Sequence, residues 1–253
     1  MEKVLHVQAL TKQYRNGRGV EDVCFDVYKG DVYGLFGPNG AGKTTVLKVI
    51  TGLCIADKGT VQLFGHRIRD QFETAMERVS AVIETAIAYD YMSGAENLRL
   101  VSRFYPDLPK GRIDEVLEQV GLTSYQYEKV SQYSLGMKQR LALAASLLSH
   151  PRLLIWDEPT NGLDIEGMVE VRRLIQRLAR EQEITFLISS HMIHEMEQIC
   201  NRVGFIYKGK LFRQGNLKEL LNDHQTLEQI YLNEIQGIKE GNPDASYLRQ
   251  SVE

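Results

Sequence analysis

Two kinds of apolar pattern alternate along the chain. Residues 153–157 (LLIWD) and 184–190 (ITFLISS) are continuous apolar runs, as expected of central strands in a parallel sheet covered on both faces. Residues 32–36 (VYGLF) form a third compact block, closed by Gly37, as a buried strand would be. Elsewhere apolar residues recur at helical spacing: Ile113, Val116, Leu117 and Val120; Leu141, Ala144, Leu147 and Leu148; Val171, Leu174, Ile175 and Leu178. The last set lies between two of the apolar runs, so strand, helix and strand follow in order. That order predicts a βαβ crossover and an α/β core.

Turn and cap signals divide the rest. Residues 4–36 alternate, and the breaks at Gly17/Gly19 and at Lys29-Gly30-Asp31 read as hairpin turns between short strands. Residues 61–65 read as another strand, 44–51 as a helix closed by Gly52, and 202–215 as a closing hairpin. Ser93-Gly-Ala-Glu96 has capping-box spacing and predicts a helix through about Arg103. A further helix is expected after Ser134, ended by Pro151, and another over 217–236. The expected organisation is a single domain over 1–236, followed by a polar tail over 237–253. The core takes 1–85 and 151–216, a helical subdomain is inserted over 86–150, and a helical extension covers 217–236.

Composition narrows the class. The 253 residues are 43% hydrophobic and 25% charged, ordinary for a globular protein, and the net charge of −3 advertises no basic surface for nucleic acid. Cys24, Cys54 and Cys200 have no metal-ligand spacing and are expected to be small core residues in a reducing compartment. No secretory signal pattern opens the sequence, and no apolar run approaches the roughly 18 residues that span a bilayer. Work at a membrane would need a second chain to supply the membrane part.

The strongest chemical signal is residues 37–45, GPNGAGKTT, which fit G-x-x-x-x-G-K-[ST] between an expected strand and an expected helix. Gly37, Asn39, Gly40, Ala41, Gly42, Lys43, Thr44 and Thr45 would form a loop whose N–H groups curl around phosphate oxygens at a helix N-terminus. Lys43 would reach the β- and γ-phosphates, and the Thr44 hydroxyl would bind Mg²⁺. In LLIWDEPT, Asp157 ends an apolar strand and can hold the same Mg²⁺, while Glu158 is placed as a general base for an attacking water. Adjacent acids at a strand end are common on surfaces; the upstream loop gives them meaning. In YSLGMKQR (133–140), Ser134 can cap a helix and Gly136 allows close approach to a ligand. The sequence HMIHE is not a zinc motif, because His194 has no further ligand nearby.

In this order, with a strand-end SSH at 189–191 and NGLD at 161–164, the pieces resemble the ATP-binding-cassette ATPases over residues 3 to 216. The resemblance implies a P-loop NTPase with a RecA-like core, an N-terminal antiparallel β subdomain and an inserted helical subdomain. It also implies a head-to-tail dimer, of two copies or of this chain with a second such ATPase, that sandwiches two ATP molecules. By that resemblance Tyr14 stacks on adenine, Ser134 and Gly136 contact the partner's γ-phosphate, and Asp164 lies in the loop crossing the interface. His191 matches the histidine that contacts the γ-phosphate and the attacking water. The usual LSGGQ signature is altered here to Tyr133-Ser-Leu-Gly-Met137, without its first glycine and its glutamine.

Glu84 closes the run 79–83, VSAVI, where most members of that family carry glutamine as a Mg²⁺ ligand. A carboxylate keeps the ligating oxygen and adds charge beside Asp157 and Glu158. Together with SLGMKQRL, SSHMIHEMEQI and TLEQIYLNEI, it resembles the ATPases of lantibiotic self-protection and bacitracin-resistance exporters. That resemblance implies a peripheral subunit at the cytoplasmic face of the membrane, driving export through a separate permease. The permease would dock near residues 84–92, on Ile87, Tyr89, Tyr91 and Met92. Drug, lipid or polysaccharide exporters share most of these features. A soluble cassette of translation or DNA repair fits less well, since the chain has neither a second cassette nor a long coiled-coil insertion.

Overall fold

The computed structural model describes residues 2–84, 88–221 and 226–239. In chain order the elements begin with β1 (Lys3–Gln13), β2 (Gly19–Tyr28), β3 (Val32–Phe36), α1 (Lys43–Ile50), β4 (Lys58–Leu63), β5 (His66–Arg67), α2 (Phe72–Met76) and β6 (Val79–Val82). Three helices follow: α3 (Gly94–Ser102), α4 (Arg112–Gln119) and α5 (Leu135–Leu147). The chain then returns through β7 (Leu153–Asp157), α6 (Ile165–Glu181), β8 (Thr185–Ser190), α7 (Ile193–Ile199), β9 (Arg202–Tyr207) and β10 (Lys210–Asn216). It closes with α8 (Leu217–Leu220) and α9 (Leu227–Lys239).

Two sheets result. One is antiparallel, in the order β2-β1-β4-β5. The other runs β10-β9-β3-β8-β7-β6 and is parallel except for the edge strand β10. The expected hairpin at Lys29-Gly30-Asp31 does not form. The turn is there, with Asp31 N donating to Tyr28 O, but it carries the chain from one sheet into the other. The reason is β3 itself: all five residues are buried, and such a strand gains more between β8 and β9 than beside half-exposed β2.

The parallel sheet separates two apolar clusters. On β7, Leu154 and Trp156 enter the cluster that also holds Leu98, Leu117, Leu141 and Leu147 of the inserted helices. Leu153 and Ile155 face the other way, into a cluster with Leu5, Val46, Ile50 and Leu63. This is the period-2 alternation of a strand with apolar neighbours on both faces.

Local signals fix several helix ends. Ser93 Oγ accepts from Glu96 N at 3.2 Å, and Ser93 N donates to Glu96 Oε2 at 2.7 Å, so α3 starts on a full capping box. The single helix expected over 217–236 is instead two. Thr226 and Gln229 form a second T-x-x-Q box, Thr226 N donating to Gln229 Oε1 at 3.0 Å and Gln229 N to Thr226 Oγ1 at 3.2 Å, and this starts α9 afresh. Only Cys200 of the three cysteines is buried; Cys24 lies exposed, its Sγ accepting from Ala9 N, and Cys54 is half-buried.

Arg112, buried at the start of α4, ties the insertion together. Its guanidinium donates to the Leu147 and Leu148 carbonyls at the end of α5 and pairs with Glu115 at 2.7 Å. Replacing it with methionine leaves those carbonyls without their donor. The expected cost is about 1.5–3 kcal/mol, the range for hydrogen bonds to charged groups. Urea unfolding followed by Trp156, the one tryptophan of the chain, measures it.

Candidate functional site

Parallel β3, β8 and β7 lie side by side, so the chain segments that follow them emerge at one edge of the sheet. Residues 37–43 follow β3, Glu158 follows β7, and His191 follows β8. The fourth strand, β6, pairs with β7 and delivers Glu84 to the same edge. The carboxyl ends of parallel strands are the usual place for ligands in such sheets.

The loop after β3 holds its shape through backbone conformations that only glycine adopts easily. Gly40 has φ +79 and Gly42 φ +111, and a Cβ on Gly42 would sit 2.5 Å from Val20 Cγ1. Lys43, only 5% exposed, donates to Gly37 O at 2.7 Å and to Pro38 O at 3.3 Å. Its Nζ also lies 3.1 Å from Glu158 Oε1. Glu158 in turn meets His191 Nδ1 at 2.8 Å through its other oxygen. Lysine, glutamate and histidine thus form one chain of polar contacts. Glu158 occupies the left-handed region at φ +51, a conformation costly for a residue with a Cβ and met often at functional sites.

Beside this chain lies an oxygen pair. Thr44 Oγ1 donates to Asp157 Oδ2 at 2.8 Å, and Ser189 donates to the other Asp157 oxygen. Ser189 Oγ also accepts from Glu158 N at 3.0 Å. Ser189 therefore positions both acids, a role its sequence context signalled only as a polar residue at the end of an apolar run.

An open cleft of about 520 Å³ lies over the loop and Glu158, lined by Tyr14, Asn39, Gly40, Ala41, Gly42, Lys43, Thr44, Thr45 and Glu158; Gly37, Glu84, Asp157 and His191 are not among its lining residues. Asn161, from the NGLD stretch, lines it too, as do Arg18 and Lys48, which no motif signals. Tyr14 is partly exposed, and its hydroxyl meets Cys54 Sγ at 3.6 Å; that contact, with partial burial, raises its pKa. The cleft suits a nucleotide with Mg²⁺. Thr44 and Asp157 offer hard oxygen donors only, and no cluster of three or more His, Cys, Asp or Glu exists among the described residues to cage an ion. Mg²⁺ is commonly held this way, by one or two carboxylates, water and substrate phosphates.

Glu84 lies at φ +65 with its carboxylate 2.5 Å from Lys48 Nζ. Ser134, Gly136 and Asp164 do not line the cleft. Ser134 caps α5 by accepting from Met137 N at 3.2 Å, and Asp164 caps α6 by accepting from Gly167 N at 2.9 Å. These two helix starts pack together, with the site of a Cβ on Gly136 3.9 Å from Leu163 Cδ2 and from Gly167 Cα. Leu135 and Ile165 project beside them, both exposed. Of the docking residues expected from sequence, Tyr89 and Tyr91 are exposed with ring centres 5.7 Å apart, and Ile87 lies outside the described residues. Between the tyrosines, Asp90 pairs with Lys138 of α5 at 2.9 Å.

The sequence profile of the family described as ABC transporter matches residues 20–161. The chain belongs to this family. Among curated relatives of this ABC protein, the bacitracin transport ATP-binding protein BcrA of Enterococcus faecalis is 41% identical over 220 residues, covering 87% of this chain and 72% of the relative. The lantibiotic transport ATP-binding protein SrtF of Streptococcus pyogenes is 36% identical over 232 residues, covering 92% and 97%. Among solved structures, cbiO1 of Clostridium perfringens, part of an ABC transporter complex, superposes with a TM-score of 0.80 at 25% identity, over 95% of this chain and all of that one. The protein is thus an ATP-binding subunit of an ABC transporter, and its activity is ATP hydrolysis coupled to transport.

Proposed function

We propose that this subunit drives the export of an antimicrobial peptide, of the bacitracin or lantibiotic kind, through a separate permease at the cytoplasmic face of the membrane. What carries the chemical half of the reading is the chain Lys43–Glu158–His191 beside the Thr44–Asp157 oxygen pair, which meet one cleft through Lys43, Thr44 and Glu158. Lys43 and the N–H groups of residues 40–44 bind the ATP phosphates. Glu158 takes a proton from the attacking water, with His191 orienting its carboxylate. Thr44, Asp157 and Glu84 hold Mg²⁺, which supplies charge stabilisation to the phosphoryl group being transferred.

Dimerisation belongs to the same reading. Ser134 and Gly136 stand outside the cleft of their own chain, beside exposed Leu135 and Ile165. A second copy, or a related ATPase, placed head-to-tail would cover that apolar pair and bring the serine and glycine to its neighbour's phosphates. The permease docks at Tyr89 and Tyr91. Among the described residues no helix is long and apolar enough to cross a membrane. Names of the relatives support the peptide cargo, and cargo selection lies mainly in the permease.

The test uses tagged Glu158→Gln protein expressed in its own cells. With ATP added after gentle solubilisation, a polytopic permease co-purifies, and without ATP its recovery falls. Deleting the gene for this subunit sensitises the cells to bacitracin or a lantibiotic. Ribosomes or repair proteins in place of a permease would overturn the transport assembly proposed here, and unchanged sensitivity to both peptides would overturn the cargo.

A further inference from the structure

Among the described residues, Lys48 and Glu84 are each other's only salt-bridge partners, Nζ to Oε1 at 2.5 Å. Lys48 is on α1, four residues after Thr44, so one helical turn separates the hydroxyl expected at the metal from this ammonium on the same face. It lines the cleft with Thr44, Thr45 and Tyr14. Glu84 hangs from the end of β6 in a left-handed conformation that its surroundings must hold in place. Any role for its oxygen at the metal therefore begins from a carboxylate already bound to a cation.

We propose that Lys48 is a positioning residue that competes with the metal for the Glu84 carboxylate until Mg²⁺ arrives with nucleotide. The pair is a releasable latch on Glu84 itself. It rests on the reading of Glu84 as a metal ligand. Lys48 is 30% and Glu84 61% exposed, so solvent competes with the bond. A pair this exposed biases an equilibrium by no more than about fivefold. That weakness suits a latch, since a divalent cation attracts the carboxylate more strongly than one ammonium does. As Glu84 turns to the metal, Lys48 is released. The glutamine usual at this position is neutral and cannot be held by charge, so the latch is a property of the Lys48–Glu84 combination. Asp157 adds to the favourable field at the ammonium, and the hydrogen bond to Glu84, more than any other contact, raises the Lys48 pKa.

The test is a Mg²⁺ titration of the full chain at fixed, saturating, non-hydrolysable ATP analogue. It is followed by the fluorescence of Trp156, which adjoins Asp157 in β7. Four proteins are compared: wild type, Lys48→Met, Glu84→Gln and the double variant. Lys48→Met is expected to lower the Mg²⁺ midpoint about two- to fivefold, and to leave it unmoved in the Glu84→Gln background. An equal shift in both backgrounds would mean that Lys48 acts on the nucleotide and would overturn the latch. So would no shift, or an upward one, with Lys48→Met while Glu84→Gln still moves the midpoint. If Glu84→Gln itself leaves the midpoint in place, the ligand reading falls and the latch falls with it.

Discussion

Glu158→Gln lowers ATP turnover by about 10²–10⁴-fold, the usual contribution of a positioned base, while ATP affinity stays within a factor of a few. The geometry sets both halves of this expectation. Glutamine keeps the shape of the side chain, so the contact with His191 can persist through its carbonyl oxygen. Lys43 retains its two backbone acceptors, Gly37 O and Pro38 O, and stays poised for phosphate. Proton acceptance is lost, together with the negative charge that pairs with Lys43. Equilibrium binding of a fluorescent ATP analogue and single-turnover hydrolysis separate the effects. With ATP present, the variant should also accumulate as a dimer in light scattering. Turnover within tenfold of wild type would remove Glu158 from the role of base and leave it as a partner of Lys43.

Lys43→Ala is expected to act on the opposite parameter. Charge-assisted hydrogen bonds to phosphate are worth about 1.5–3 kcal/mol each in net terms, so losing this ammonium should weaken ATP binding by about 10²-fold. The thermal stabilisation that ATP gives the wild type should disappear at millimolar nucleotide. The fold itself should survive, because Glu158 is one-fifth exposed and still reaches His191 when the lysine is gone. Melting curves with and without ATP read both quantities. A variant that melts early without nucleotide would show that the Lys43–Glu158 pair is a structural bond first.

Much of this was legible in the sequence, and the limits have physical causes. Residues 153–157 and 184–190 announced central strands because a fully covered strand has no polar face, and both are buried throughout. Ser93 and Ser134 announced helix starts because a hydroxyl there satisfies an otherwise orphaned N–H. The motif at 37–45 announced a phosphate loop because its glycines are needed for backbone conformations that side chains resist. Pairings between distant segments were not legible. Nothing local to Lys48 says that Glu84 will meet it, and nothing local to Asp90 points to Lys138. Ser189 was hidden for the same reason, since its meaning depends on Asp157 in the neighbouring strand. The Lys29-Gly30-Asp31 turn was read correctly as a turn and wrongly as a hairpin. Turn chemistry is local, whereas sheet membership is decided by burial.

The alternation along β7 bears on how such a chain can be recombined. The apolar cluster that holds β1, β4 and α1 draws no residue from positions 88–152, whereas the other cluster takes Ala95, Leu98, Val116, Leu117, Val120 and Tyr133 from that stretch. A chimera that borrows residues 94–133 from a relative therefore replaces one wall of one cluster and leaves the phosphate loop's bed untouched. Shuffling at those seams offers a modular route to re-pairing this motor with a foreign permease, with the engine block left as it stands.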